Sequence, residues 1–311
     1  MNEREKSTTA AFRAAVVAGM EAEGGRNSDV YPLLLLASPE LFAAALHPIV
    51  GTPLSAGDSE VEFILMSVAK PFVLALAADA HGESAVLALT GMHPTGLAFN
   101  DPLAVTACPD GRTNPMVNPG AISVASLMGG GDVAAGEAAI LSGLSAFAGR
   151  ELAADPDMVA AIHAANSRNR LLAGLLAERG LLAIPPEDAL RLYTLQSCVA
   201  VTARDLARMG AVLANGGRDP VSGVRVVSAS AAVFAVEAMG LAGMYEATDV
   251  WMQVTGFPAK SGIAGALVMV VPGWGAFGSY SPPLDGTGNP VRAQAAAKTF
   301  ARLIAPSTGS P

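Results

Sequence analysis

Ser67-Val68-Ala69-Lys70-Pro71 stands at the start of an apolar segment whose spacing predicts a helix over 72–80. Proline is tolerated in the first turn of a helix, so Pro71 fits a helix that begins close to Ser67. A lysine three residues after a serine lies on the same helix face. A neutral amine there can take the serine proton and make the serine a nucleophile without histidine. The alternative is a capping serine beside a surface lysine, because this spacing is common by chance.

The scarcity of lysine favours a chemical role for Lys70. Of the 19 basic residues only four are lysines, at positions 6, 70, 260 and 298. Arginine cannot lose its proton near neutral pH, so a lysine within an apolar segment calls for a chemical reason. A second lysine, in Lys260-Ser261-Gly262, precedes a β-rich run. A lysine-serine-glycine strand together with a serine–lysine helix is the pair of motifs found in serine penicillin-recognising enzymes.

Composition narrows the class of protein. The 311 residues are 51% apolar and 15% charged, which excludes a disordered chain and allows one large domain or two packed lobes. The net charge of −8 argues against binding to nucleic acid or to an anionic membrane. Cys108 and Cys198 lie far apart and the four histidines are scattered. We therefore expect no disulfide, no metal and no cofactor, and a cytoplasmic enzyme without a targeting segment or membrane span.

Predicted strands lie towards the two ends of the chain and predicted helices fill the middle. The expected helices cover 1–25, 168–181, 202–213 and 292–305, and the expected hairpin joins 263–271 to 274–280 through Pro272-Gly273. This order predicts an α/β (α+β) fold, in which an antiparallel sheet built from both termini is flanked by helices and interrupted by an all-helical lobe. Residues 1–311 form one catalytic unit, with a sheet lobe over 25–70 and 225–305, a helical lobe over 71–224 and a loose tail at 307–311.

From about residue 30 to 305 the chain resembles the serine-dependent glutaminases, which have a fold like that of serine β-lactamases and transpeptidases. The matching stretches occur in the family's order. They are Tyr31-Pro32, Ser67-Val68-Ala69-Lys70, Gly91-Met92-His93-Pro94-Thr95-Gly96, Asn114-Pro115-Met116-Val117-Asn118-Pro119-Gly120, Arg168-Asn169, Tyr193, Leu213-Ala214-Asn215-Gly216-Gly217, Met244-Tyr245, Lys260-Ser261-Gly262 and Ser281-Pro282-Pro283-Leu284-Asp285.

The resemblance implies a catalytic apparatus. Ser67 would attack the side-chain amide of glutamine and form an acyl-enzyme, with Lys70 as its base. Tyr193 and Tyr245 would hydrogen-bond near the nucleophile and relay protons to the leaving ammonia. Lys260 would complete the catalytic set. The family also implies a homodimer or homotetramer.

The resemblance also implies a binding set for a small-molecule amide. Asn118 and Asn169 would hold the α-carboxylate or the amide, beside Tyr193 and Tyr245. The backbone N–H groups of Ser67 and of Ile263 would form the oxyanion hole.

One departure from the family leaves the substrate open. Where the family has a glutamate that pairs with the α-ammonium of glutamine, this chain has Ile162. Three hypotheses remain. The first is an ordinary glutaminase, with the ammonium held by Asp157 or through water. The second is an amidohydrolase or acyl transferase of the same fold whose amide substrate lacks a charged α-amine. The third is a non-catalytic binding or assembly protein, against which the intact Ser67, Lys70, Tyr245 and Lys260 argue. A β-lactamase or cell-wall peptidase is disfavoured by the missing export signal.

Overall fold

The computed structural model describes residues 3–305, so the predicted tail at 307–311 lies outside the described residues. Seven strands form two sheets within that range. They are β1 (Ala43–Pro48), β2 (Leu54–Gly57), β3 (Phe63–Ile64), β4 (Ala200–Val201), β5 (Ala259–Ser261), β6 (Ala266–Val271) and β7 (Gly275–Tyr280).

Thirteen α-helices accompany the strands in the described part of the chain. They are α1 (Glu3–Glu21), α2 (Lys70–His81), α3 (Glu83–Leu89), α4 (Leu103–Thr106), α5 (Asn118–Met128), α6 (Val133–Ala148), α7 (Pro156–Ala165), α8 (Ser167–Glu178), α9 (Pro186–Ser197), α10 (Ala203–Ala214), α11 (Ala229–Ala242), α12 (Thr248–Thr255) and α13 (Val291–Ile304). Three short 3₁₀ segments add to them at Pro32–Leu36, Met66–Ala69 and Tyr245–Ala247.

The main sheet is antiparallel and draws its strands from both ends of the chain. Its order is β2-β1-β7-β6-β5, and β1 pairs along its whole length with β7, from Ala43 opposite Tyr280 to Pro48 opposite Gly275. The predicted α+β class, with a sheet assembled from the two termini and a helical region between them, is confirmed.

Residues on successive positions of β7 face opposite sides of the sheet, as the period of a strand requires. On one side, Phe277 contacts Phe12 of α1 and Phe300 of α13, with ring centroids 6.1 and 5.4 Å apart. On the other side lie Ala276 and Gly278, which are small because α10 packs directly on them. The sheet is therefore covered on both faces.

Helix α10 joins the sheet to the helical region. Its N-terminus is closed by a capping box, in which the Thr202 side chain and the Asp205 side chain each bond the other residue's backbone N–H. Gly210 allows α10 to approach the sheet closely, because a Cβ at this position would stand 2.6 Å from Ala276 Cβ. The far side of α10 packs against α6 and α11.

Two predicted boundaries are wrong by three residues, each for a local reason. Helix α8 ends at Glu178 rather than 181, because Gly180 turns the chain with φ of +67°. Strand β6 begins at Ala266 rather than 263, because 262–265 form a tight turn closed by the Gly265 N–H bonding the Gly262 carbonyl at 2.9 Å.

Within residues 3–305 no single helix is long and apolar enough to cross a membrane. Two pairs of helices that meet at a sharp bend, Met66–His81 with Glu83–Leu89 and Asn118–Met128 with Val133–Ala148, satisfy the length and composition requirement only when each pair is taken together.

The contact between α10 and β7 predicts a stability difference between two glycine substitutions. A Cβ at Gly278 would lie 2.7 Å from Ala207 N and 2.8 Å from Ala203 O, so Gly278→Ala forces the helix off the sheet and costs about 1–3 kcal/mol. Gly174, in α8, has open space around its Cβ position. As the matched control, Gly174→Ala stabilises by up to about 1 kcal/mol through helix propensity. Urea unfolding measures both, and a Gly278→Ala protein as stable as the wild type contradicts the close contact.

Candidate active site

Ser67 lies on the 3₁₀ turn that links β3 to α2. The residue before it, Met66, has φ of +48°, a left-handed conformation that costs energy for a residue with a Cβ. Tyr245 is the other non-glycine residue with positive φ in the described part of the chain, at +56°. Backbone strain in residues 3–305 is therefore concentrated at two positions that adjoin the same serine.

Lys70 begins α2 and is only 2% exposed. Its Nζ donates to Asn118 Oδ1 at 2.7 Å and to the Met116 carbonyl at 3.3 Å, and it forms no ion pair with a described carboxylate. Burial without an anionic partner disfavours the charged form and lowers the pKa of Lys70 to about 7. A large share of the amines are therefore unprotonated at neutral pH, which is what a base for Ser67 needs.

A chain of side-chain amides continues from Lys70 into the helical region. Asn118, at the start of α5, donates to Asn169 Oδ1 of α8 at 3.0 Å. Asn169 in turn donates to Asn166 Oδ1 at 2.7 Å. These hydrogen bonds fix the orientation of the Asn118 and Asn169 amides, since each of them donates an N–H to the oxygen of the next amide.

The second lysine motif lies on β5. Lys260 is fully buried, and its Nζ donates to the carbonyls of Gly243 and Ser261 at 2.9 and 2.6 Å. The same Nζ stands 4.0 Å from the centroid of the Tyr245 ring. Burial lowers the pKa of Lys260, and the charge of Lys70 acts in the same direction.

Tyr245 connects this strand to the nucleophile. Its hydroxyl donates to the Ser261 carbonyl at 3.2 Å and also hydrogen-bonds Ser67. Burial raises the pKa of Tyr245 to about 12, although hydrogen bonding with the side chains of Ser67 and Ser261 acts to lower it. The phenol therefore keeps its proton at neutral pH. Burial likewise raises the pKa of Tyr193, whose ring centroid lies 6.0 Å from Lys70 Nζ.

The backbone after Lys260 approaches the nucleophile closely at Gly262. A Cβ on this glycine would stand 3.3 Å from Ser67 N and 3.0 Å from the Leu65 carbonyl. Neither the N–H of Ser67 nor that of Ile263 is used in a hydrogen bond within the described residues. Two unused donors on adjacent segments are the arrangement that an oxyanion hole requires.

A pocket of about 100 Å³ opens onto Ser67. The structure brings six of the residues singled out from the sequence into its wall. They are Ser67, Asn118, Ile162, Asn169, Tyr193 and Ile263. Lys70, Tyr245 and Lys260 do not line it. Lys70 bonds Asn118 and Lys260 bonds the β5 backbone, while Tyr245 hydrogen-bonds Ser67 and lines a neighbouring cavity.

Four further residues line the pocket although the sequence analysis gave them no role. Tyr31, Phe99, Asn166 and Arg168 all line the wall. Asn166 had a signal that could have been used, because it precedes Asn169 by three residues and so lies one helical turn away. Tyr31 and Phe99 come from loops that only the fold brings to the pocket.

Ile162 lies on α7 and is 3% exposed. It belongs to a buried apolar cluster that includes Met66, Met158 and Ile263. Asp157, which the sequence offered as a substitute partner for an ammonium, is exposed on the first turn of α7 and does not line the pocket.

Together these features place a serine at the mouth of a small pocket, with a buried lysine and a buried tyrosine near it, on a sheet-and-helix fold. The family model described as Glutaminase matches residues 25–307, so the chain belongs to the glutaminase family. Glutaminase 2 of Yersinia pestis is 42% identical over 89% of this chain and 82% of its own length. A glutaminase of Brucella abortus strain S19 is 38% identical over 97% of this chain and 95% of its own length.

The solved structures agree. A protein described as the probable glutaminase ybaS superposes with a TM-score of 0.93 at 33% identity, over 97% of both chains. The predicted family and fold type are confirmed.

The buried amine of Lys70 predicts a pH-dependent stability. The pKa of this lysine is about 7 in the folded protein and 10.5 when exposed, so the unfolded chain binds more protons between these two pH values. The free energy of unfolding therefore rises with pH across that window and falls again as pH returns to 7. Lys70→Met removes this contribution.

The measurement is urea unfolding at pH 7 and pH 9. We expect a smaller gain in stability for Lys70→Met than for the wild type. Lys6→Met, at an exposed lysine of α1, is the control and keeps the wild-type gain. An equal gain in wild type and Lys70→Met contradicts the lowered pKa.

Proposed function

We propose that this protein is a serine amidohydrolase of the glutaminase type, which hydrolyses the side-chain amide of glutamine or of a close analogue to a carboxylate and ammonia. The observation that carries the proposal is the buried Lys70, whose pKa of about 7 suits a general base, beside a serine that opens into a small pocket. The two relatives described above are named glutaminases, which supports the same reaction.

In the first half of the reaction, the Ser67 hydroxyl attacks the amide carbon while Lys70 accepts its proton. The N–H groups of Ser67 and Ile263 bind the oxygen that becomes negative in the tetrahedral intermediate. The carbon–nitrogen bond then breaks as the proton taken up by Lys70 passes through the Tyr245 hydroxyl to the nitrogen, which leaves as ammonia. An ester between Ser67 and the acyl group remains.

In the second half, water attacks the ester carbon, Ser67 leaves with a proton and the carboxylate product is released. Tyr245 suits the relay because its raised pKa keeps the phenol protonated, ready to donate. Lys260 acts as a positioning group, since it lies against the Tyr245 ring and bonds the Ser261 carbonyl that also accepts from the Tyr245 hydroxyl.

The linked side-chain amides of Asn118 and Asn169 orient the substrate. Asn118 and Asn169 lie on the pocket wall and are fixed by their hydrogen bonds, and Tyr193 lines the same wall. These groups donate to and accept from a carboxylate or a carboxamide without requiring rearrangement, which lowers the entropic cost of binding.

Three further proposals rest on the sequence. We propose a cytoplasmic location, a homodimer or homotetramer as in the resemblance, and a division into the sheet lobe over 25–70 and 225–305 and the helical lobe over 71–224. The two cysteines are free, which supports a reducing compartment. Light scattering after gel filtration tests the oligomeric state.

Replacement of the nucleophile is the direct test of the proposed reaction. Ser67→Ala is expected to lower kcat for ammonia release by roughly a thousandfold or more, because the acyl-enzyme can no longer form. Ser142→Ala, at an exposed serine of α6, is the control and keeps wild-type kcat. Retention of turnover by Ser67→Ala refutes Ser67 as nucleophile.

The proposed base predicts the pH profile. Lys70 accepts a proton only when its amine is uncharged, so kcat/KM rises with pH up to the pKa of about 7 and levels off above it. Lys70→Arg, which stays protonated, is expected to lose activity at every pH tested. Lys298→Arg, on α13, is the control and keeps the profile. A profile that is flat between pH 5 and 8 contradicts the role of Lys70.

A further inference from the structure

The pocket in front of Ser67 has an unbalanced set of charges. Among the described residues that line it, Arg168 is the only charged one, and no carboxylate is present. Arg168 is exposed, and its guanidinium has no hydrogen bond or ion pair within the described chain. The described lining therefore includes one cation available to a substrate carboxylate and no anion available to a substrate ammonium.

The wall at Ile162 is apolar. Ile162, Met66 and Ile263 are each less than one tenth exposed and belong to one buried cluster, and all three line the pocket. An ammonium placed against them would lose water without gaining a hydrogen-bond acceptor or a counter-charge. Such desolvation is costly unless the charge is paired.

Side chains beside the wall do not supply the missing anion by ionising. Burial raises the pKa of the Tyr31, Tyr193 and Cys198 side chains, that of Cys198 to about 12, so all three are neutral at physiological pH. A side chain that stays neutral offers an ammonium only a dipole.

The two carboxylates nearest to Ile162 along the chain do not line the pocket. Asp155 caps α7 by accepting from the Met158 N–H at 2.9 Å, and Asp157 is exposed. Glu246 and Asp249 line a neighbouring cavity, which shares Phe99 with the Ser67 pocket and also includes Tyr245, but neither carboxylate lines the Ser67 pocket itself.

We infer that the substrate is the monoamide of a short dicarboxylic acid with no free ammonium on the carbon that bears its carboxylate. This inference rests on the proposed amidohydrolase function and specifies its substrate class. The chemical step is unchanged: the carbon–nitrogen bond of the amide breaks, ammonia leaves, and water restores Ser67. The pocket of about 100 Å³ favours a compact amide over one enlarged by acylation.

The first experiment ranks four amides by kcat/KM for ammonia release with the wild-type enzyme. They are 4-carbamoylbutanoate, 2-oxoglutaramate, N-acetyl-L-glutamine and L-glutamine. We expect 4-carbamoylbutanoate, which is L-glutamine without its amine, to exceed L-glutamine roughly ten- to a hundredfold, because no unpaired ammonium is buried. We expect N-acetyl-L-glutamine to fall below 4-carbamoylbutanoate because of its size. L-glutamine equal to or better than 4-carbamoylbutanoate overturns the inference, as does N-acetyl-L-glutamine as the best of the four.

A second experiment assigns the preference to position 162. Ile162→Glu supplies an anion at the apolar wall and is expected to shift the ratio of the two kcat/KM values about tenfold towards L-glutamine. Ile162→Gln has a side chain of the same length without charge, and is expected to retain the wild-type preference. An unchanged ratio in a folded Ile162→Glu protein overturns the role of Ile162. If Ile162→Glu does not fold, as circular dichroism would reveal, the wild-type ranking still decides the substrate class.

The same assays separate this inference from the proposed function. Release of ammonia from none of the four amides, or equal release by Ser67→Ala, refutes the amidohydrolase itself. Release that depends on Ser67 but favours L-glutamine refutes only the substrate class.

Discussion

The site depends on one electrostatic constraint, the burial of Lys70 without an ion pair to any carboxylate among residues 3–305. A lysine amine in water is protonated at neutral pH and cannot accept the proton of a serine. Here the amine is enclosed between α2 and α5, and its closest acceptor is the neutral amide of Asn118. A carboxylate in that place would restore the charge and raise the pKa. The orientation of Asn118, in turn held by Asn169, is therefore part of what keeps the pKa of Lys70 low.

The two sides of the site come from distant parts of the chain, and each includes a strained residue. Met66 precedes the nucleophile, and Tyr245 lies near the β5 segment with Lys260 beneath its ring. Positive φ at such residues persists only where the surroundings stabilise it, and both of these are buried. The two strained residues meet at the nucleophile, because the Tyr245 side chain hydrogen-bonds the serine that follows Met66.

Reaction chemistry and substrate recognition are separable in this pocket. The residues proposed for bond cleavage lie at Ser67 and behind it, on α2, β5 and the 3₁₀ segment at Tyr245–Ala247. The wall that faces the rest of the substrate is supplied by other elements, among them α7 with Ile162 and α8 with Arg168. A change on α7 can thus alter the charge offered to the substrate, and it acts close to Ser67 because Ile162 shares a buried cluster with Met66 and Ile263.

Local features were readable from the sequence because they depend on neighbouring residues. The capping box at Thr202 and Asp205, the Pro272-Gly273 hairpin and the serine–lysine turn each involve only a few consecutive positions, and the ordered motifs then identified the family. Only the tertiary structure brings Asn118, Ile162 and Asn169 into one pocket wall, because these residues lie on three different helices. The tertiary structure also determines the pKa of Lys70, since the free energy of a buried charge depends on every group that displaces water from it.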